Sequence, residues 1–202
     1  MTNNDCTVTV KVDDGSGISK LVSHGYATVY KTTTMGALQC MDLSGLKLPE
    51  ELFTGIRSLS YDRASKVVIV FSNPWWIKYK EPETGAPLIS DGGFSCTDLL
   101  IHTVVYPSWN DWEDKPAVPM GSYTWTQDAT RIGSLIPDHN THKPSADDEL
   151  VTLMLQNLSK IWSSVQGGPT FETLKKWYVT HPAYAWSHDP NTAGAFALFG
   201  PG

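Results

Sequence analysis

Lys66 has the strongest claim on chemistry in this chain, because it opens the apolar run 66–71 (KVVIVF), where an amine must reach water or serve a site. Two readings stand at this point. A strand-end lysine can lay its stem on apolar surface and send its ammonium to solvent, or the amine can face a ligand. Trp75 and Trp76 follow Asn73-Pro74 and read as a corner of the core or as a pocket wall. His139 and His142 form an HxxH pair, which on a helix would offer two imidazoles to one metal. Here the pair is bracketed by Pro137 and Pro144 in a wholly polar stretch, so solvated loop histidines are expected. Gly15-Ser16-Gly17-Ile18-Ser19-Lys20 approaches the GxGxxG turn that cradles a dinucleotide pyrophosphate, but its third glycine is Lys20 and a second alternating run follows in place of a helix. A hairpin turn is the expectation. No GxSxG elbow is present, and Cys6, Cys40 and Cys96 form no CxxC pair, so neither a hydrolase triad, a zinc site nor a disulfide framework is suggested.

The elements that must position these residues are legible from periodicity. Alternation predicts strands over 7–12 and 24–32, joined as a hairpin. A short helix is expected from 48 to 59, with Pro49 in its first turn and Leu52, Ile56 and Leu59 on its apolar face. Runs 66–71, 99–106 and 121–126 are strand candidates for one sheet. Ser145 and Asp148 form a cap-like pair before Leu150, Met154, Leu158, Ile161 and Trp162, which repeat at helical spacing. A second short helix is expected over 170–178, after Gly167-Gly168-Pro169. The fold class is therefore α+β: a mixed or antiparallel sheet with helices, including one over 147–162, on one face.

Composition narrows the partners. A formal charge of -6 opposes nucleic-acid binding, which needs a basic face. The first ten residues carry no signal-peptide run and no stretch is apolar enough to span a bilayer, so a cytoplasmic protein acting on a small molecule is expected.

Beyond these patterns, a series of segments in order resembles the flavin-containing amine oxidases, the family of monoamine and L-amino-acid oxidases, and the fungal L-amino-acid oxidases in particular. The series comprises TTTMGALQCMDLSGLKLPEEL over 32–52, Lys66 ten residues before Trp76, Thr97-Asp98-Leu99, Tyr106-Pro107, GSYTWTQDA over 121–129, Tyr184-Ala185-Trp186, Asp189-Pro190, and GAFALFGPG over 194–202.

That resemblance implies FAD as cofactor and oxidation of an L-amino acid with O2. Lys66 matches the family lysine that holds a water near flavin N5. Trp76, Trp186 and Gly194 match cofactor contacts, Phe196 a substrate side-chain wall, and Tyr123 the tyrosine that hydrogen-bonds the substrate carboxylate. The resemblance divides the chain into a remnant of the FAD domain over 1–45, a substrate domain over 46–185 and the start of a C-terminal FAD-contacting segment over 186–202. It also implies that the dinucleotide fingerprint, the carboxylate-pairing arginine and a final Gly-Glu stretch lie outside these residues. Two functional expectations follow. One is an oxidase that needs a complementing polypeptide or a homo-oligomer, and the other is a truncated, non-catalytic protein or subunit that keeps the substrate-domain shape.

Overall fold

The computed structural model describes residues 2–4, 7–13, 19–21, 25–109, 114–137 and 141–198. The chain divides into two compact units, one of Met1–Asp62 with Asp189–Gly202 and one of Arg63–His188.

In the first unit, β1 (Thr2–Asn4) pairs antiparallel with β2 (Thr7–Thr9), and β3 (Lys11–Asp13) with β4 (Ser19–Leu21). The hairpin expected between 7–12 and 24–32 is replaced by this second pair, 11–13 with 19–21, and residues 14–18 lie outside the described residues. The strand predicted over 24–32 does not form. Of its described part only Tyr26 bridges, to Val8, residues 25–28 are exposed, and Tyr30 is 86% exposed. Alternation makes a strand only where one face has something to cover it.

Helix α1 (Met35–Gln39) lies in the segment 32–52, where periodicity predicted no helix before residue 48. Its signal was Thr34, whose hydroxyl accepts from the Ala37 N–H at 3.1 Å as an N-cap. Helix α2 (Glu50–Ser58) has Pro49 as its N-cap residue, with Glu50 and Glu51 in the first turn and Arg57 in the last, complementing the helix dipole. Of its predicted apolar face only Ile56 is buried, against Leu38 and Leu43, while Leu52 is 50% exposed. Strand β5 (Ser60–Asp62) pairs antiparallel with the last strand, β13 (Phe196–Leu198).

The second unit holds an antiparallel five-stranded sheet in the order β12 (Ala183–Ala185), β6 (Ala64–Val68), β10 (Met120–Trp125), β9 (Thr103–Tyr106), β8 (Gly93–Cys96). The predicted run 66–71 is divided: β7 (Val70–Phe71) leaves the sheet to pair with β11 (Tyr178–Thr180). The predicted run 99–106 keeps only its second half, because 99–102 turns and His102 takes φ 52°.

Helices α3 (Thr126–Ser134), α4 (Glu149–Ile161) and α5 (Phe171–Trp177) complete the unit. The last two match the predicted helices within their ends, and Thr170 caps α5 by accepting from the Thr173 N–H at 3.2 Å. Helix α3 was not foreseen, although Ala129, Ile132 and Gly133 are buried at helical spacing.

Strand alternation buries Ala185 and sends Val67, Val104, Tyr106 and Ala183 into the core, where these four join Leu150, Met154, Leu155 and Leu158 of α4. The buried hydroxyls of the sheet strands on this side are paired: the Ser65 and Thr124 hydroxyls lie 2.7 Å apart, and Ser122 Oγ donates to the Ile101 carbonyl at 3.0 Å. At Gly121 the β10 register shifts, and a Cβ there would lie 2.9 Å from Ile69 Cδ1.

Asp148 anchors the start of α4. Its Oδ2 accepts from the Ser145 N–H at 2.9 Å, lies 2.9 Å from His142 Nε2 and lies 3.7 Å from Nε2 of buried His181. Burial alone pushes this carboxyl up, but the hydrogen bonds from His142 and Ser145 and the charges of His142 and His181 outweigh it and hold the pKa below its ordinary value. Beside it, Tyr178 is pushed up to about 12, first by burial and then by the Asp148 charge. A depressed carboxylate stabilises the fold above the unfolded pKa and loses that contribution as pH falls through the folded one. Acid unfolding of Asp148→Asn should therefore show a shallower decline in urea midpoint below about pH 4 than the parent, the ordinary carboxylate range. Parallel declines would show that Asp148 plays no part.

Candidate active site

Strand pairing places one row of side chains across the sheet, on the side opposite the helical core. Tyr123 of β10 and Tyr184 of β12 both pair in register with Lys66 of β6. Period-two alternation then puts Trp125 beside Tyr123, and Val68 beside Lys66. This side is open within the second unit: Tyr184 is 41% exposed, Trp125 46% and Phe94 71%.

The row is tied together by its aromatic groups. Lys66 Nζ stands 5.0 Å from the centre of the Tyr123 ring, a cation–π distance that orients the amine. Tyr123 and Trp125 meet edge to face at 5.4 Å, and Tyr184 meets Trp186 in the same way at 4.9 Å. The expected Lys66, Tyr123 and Trp186 thus belong to one unit, with Lys66 and Tyr123 in direct contact.

The other site candidates lie elsewhere. Trp76 is fully buried in the helical core, edge-on to Trp75 at 5.6 Å and tilted on Tyr106 at 5.6 Å. Its Nε1, like Trp75 Nε1 and Asn73 Oδ1, has no hydrogen-bond partner among the described residues. Phe196 and Gly194 belong to the first unit, with Phe196 44% exposed and paired to Asp62. Gly194 has φ 133°, and a Cβ there would lie 2.7 Å from Tyr61 Cβ. The close approach that requires glycine is therefore made by the chain's own tyrosine.

Sequence reasoning missed two features of the open face. Trp125 was legible, because a residue two places from Tyr123 in a strand shares its face. The other feature joins residues far apart: His102 Nε2 lies 2.5 Å from Asp128 Oδ2, and Arg131 Nη1 lies 2.5 Å from Asp128 Oδ1. The hydrogen bond with His102, then that from Arg131, holds the Asp128 carboxyl below its ordinary pKa. No spacing rule signals such a pair.

Of the HxxH pair, His139 lies outside the described residues and His142 is engaged by Asp148. Among the described residues no group of three His, Cys, Asp or Glu is placed to hold a metal ion, and Cys40 and Cys96 are free and exposed. No described helix is long and apolar enough to cross a membrane.

An antiparallel sheet with helices on one face and an amine set among aromatic rings on the other defines a class, and sequence comparison names it. The model of the flavin containing amine oxidoreductases matches residues 2–202, and the chain belongs to that family. Flavin is the family's cofactor. The chain is 36% identical over 178 residues to L-amino-acid oxidase 4 of Hebeloma cylindrosporum, covering 88% of this chain and 27% of that protein. It is 29% identical over 197 residues to an L-amino-acid oxidase of Siganus canaliculatus, covering 96% of this chain and 31% of that protein. The chain therefore spans under a third of the length of these relatives. Among solved structures, wild-type putrescine oxidase bound to putrescine shares its fold, with a TM-score of 0.56 at 14% identity over 97% of this chain and 35% of that one.

The open face fits the isoalloxazine end of a flavin chemically, because Lys66, Tyr123, Tyr184 and Trp186 combine flat apolar surface with an amine and phenols. No described strand passes through a glycine-rich turn into a helix, so the pyrophosphate end has no cradle among these residues.

Proposed function

We propose that this chain supplies the substrate side of an FAD-dependent L-amino-acid oxidase, in which an L-amino acid, O2 and water give the 2-oxo acid, ammonia and H2O2. The observation that carries the reading is the in-register row Tyr123, Lys66, Tyr184, with the Lys66 ammonium over the Tyr123 ring. Bound flavin would supply the two-electron acceptor. The chain's own groups do the rest. Tyr123 donates its phenol O–H to the substrate carboxylate, which favours an amino acid over a plain amine. Lys66, steadied by the aromatic ring, holds a water by its amine at the reacting side. Tyr184, Trp186 and Trp125 wall the site and lower its water content, which strengthens both polar contacts.

The compact unit Arg63–His188 is read as the folded part of the substrate domain expected over 46–185. Phe196 keeps its proposed role as substrate wall in the complete enzyme, Gly194 serves by admitting Tyr61 in place of the expected cofactor contact, and Trp76 contributes by packing behind the sheet. A second reading, a non-catalytic subunit, draws on the first unit. An apolar groove of about 760 Å³ there, lined by Leu38, Leu43, Leu46, Leu48, Leu52 and Ile56, is left uncovered by the described residues.

Co-expression with a polypeptide carrying the dinucleotide-binding half tests both readings. The oxidase reading expects a yellow complex that makes peroxide from L-amino acids. In it, Tyr123→Phe should raise KM on the order of tenfold to a hundredfold, the worth of a hydrogen bond to a charged group. Lys66→Met should slow reoxidation by O2 on the order of a hundredfold, within the usual range for a positioned proton-handling group. A yellow, active complex indifferent to both changes would remove these roles, and a complex that binds flavin without turnover favours the subunit.

A further inference from the structure

We propose that His102 and Asp128 form a positioning pair that fixes Trp125, and through it the Tyr123 ring, on the open sheet face. The proposal rests on the oxidase reading for its purpose, but its geometry stands on its own.

The backbone on both sides of the wall is in a disfavoured state. His102, just before β9, has φ 52°, and Thr126, just after β10, has φ 57°. Non-glycine residues rarely adopt this region, and where they do, the surroundings over-determine them, often at functional sites. Here the surroundings are explicit. The His102 N–H donates to the Leu99 carbonyl at 2.9 Å, its carbonyl accepts from the Thr97 N–H at 2.8 Å, and the Thr126 N–H donates to the Arg63 carbonyl at 3.0 Å. His102 also bridges Tyr123.

The side chains carry the arrangement to the site. Asp128 holds His102 with one carboxylate oxygen and Arg131 with the other, so the carboxylate itself is fixed from two sides. The held imidazole lies against Trp125, with ring centres 6.4 Å apart and planes 26° from parallel. Trp125 in turn meets Tyr123, which carries Lys66. An indole 46% exposed on an open sheet would otherwise sample several rotamers, and a wall that orients substrate must not. The imidazole meets Trp125 and not the phenol or the amine, which makes it a positioning residue.

A simple staple between the β9 end and α3 would support the fold without controlling Trp125, and this difference is measurable in the 202-residue chain. Emission from Trp125 is isolated as the difference between the chain and its Trp125→Phe variant, and its acrylamide quenching is recorded. In His102→Ala and Asp128→Ala, quenching of Trp125 should rise about twofold or more as the ring is released. In Asp128→Asn, whose amide oxygen still accepts from Nε2–H, quenching should stay native. Unchanged quenching in the alanine variants, or Asp128→Asn behaving like Asp128→Ala, overturns the proposal. If the alanine variants fail to fold, His102→Phe decides, because it keeps a ring over Trp125 but cannot bond Asp128: raised quenching supports the pair and native quenching overturns it. A titration with 3-phenylpropionate, followed by NMR, separates the two layers of argument. Binding by the parent that weakens on the order of tenfold in His102→Ala fits the loss of an ordered wall. Absence of binding by the parent removes the Tyr123 carboxylate contact as a property of this chain alone, while Trp125 quenching still decides the pair.

Discussion

Mixed with FAD and passed through gel filtration, the 202-residue chain is expected to emerge colourless, with calorimetry showing dissociation weaker than micromolar. FAD is held tightly when its pyrophosphate meets backbone N–H groups at a glycine-rich turn that opens a helix. The one near match, Gly15 to Lys20, follows β3 and ends within β4, which pairs antiparallel with β3, so the chain returns as a strand where a helix would be needed. The glycine at 194 is filled by Tyr61, and a Cβ at Gly36 would lie 2.8 Å from the Ala193 carbonyl oxygen, so neither glycine leaves space for a ligand. What these residues offer is the ring end: Lys66, Tyr123, Tyr184 and Trp186. Loss of the phosphate contacts should weaken binding about a thousandfold or more, or roughly 4 kcal/mol. The net charge of -6 adds no long-range attraction for an anionic cofactor. Near-stoichiometric flavin, or micromolar dissociation, would falsify this and make a self-sufficient flavoprotein the better reading. Colour that returns only with a dinucleotide-binding partner is the outcome the oxidase reading requires.

How far such a site can be read from sequence depends on what signals it leaves. Lys66 was legible because a charge before VVIVF breaks an apolar pattern, and its partner Tyr123 follows once two strands are paired in register. Helix α4 was legible from its periodicity and α5 from the breaker Gly167-Gly168-Pro169 before it, although the N-cap residue of α4, Asp148, makes no side-chain cap bond. The strand expected over 24–32 was misread because alternation reports a pattern and not the presence of a covering layer. Trp76 shows the opposite limit. Its spacing from Lys66 carries the family resemblance, but its burial depends on β6, β9 and α4 meeting around it, which no local window contains. The His102–Asp128 contact spans 26 residues and two unusual backbone conformations, so it exists only in the folded chain.

The largest stability effect should come from behind the open face, at Trp75. Trp75→Ala is expected to lower the unfolding free energy by about 3–5 kcal/mol, the usual cost of emptying a buried tryptophan site. The ring is fully buried and central: it meets Phe71 at 5.8 Å, Trp162 at 5.1 Å and Tyr79 at 6.4 Å, and it stacks on Trp177 at 6.4 Å with planes 18° apart. Few neighbours can collapse into the space, because Trp162 is itself tied to the Tyr106 hydroxyl through Nε1 at 2.8 Å. Trp75→Phe should behave differently. It keeps a ring in the same cluster and removes an indole N–H that has no partner among the described residues, relieving a buried-donor cost of roughly 1–3 kcal/mol while giving up part of the packing. The two terms oppose each other, so its net loss should stay below about 1.5 kcal/mol, as for tolerated apolar swaps. Urea unfolding at constant m-value measures both. Equal losses for Ala and Phe would mean that the ring Phe retains recovers none of the packing, or that a water satisfies the indole N–H so that its removal is a cost. A large loss for Ala alone places the rigidity of β6, and hence the setting of Lys66, in this aromatic cluster.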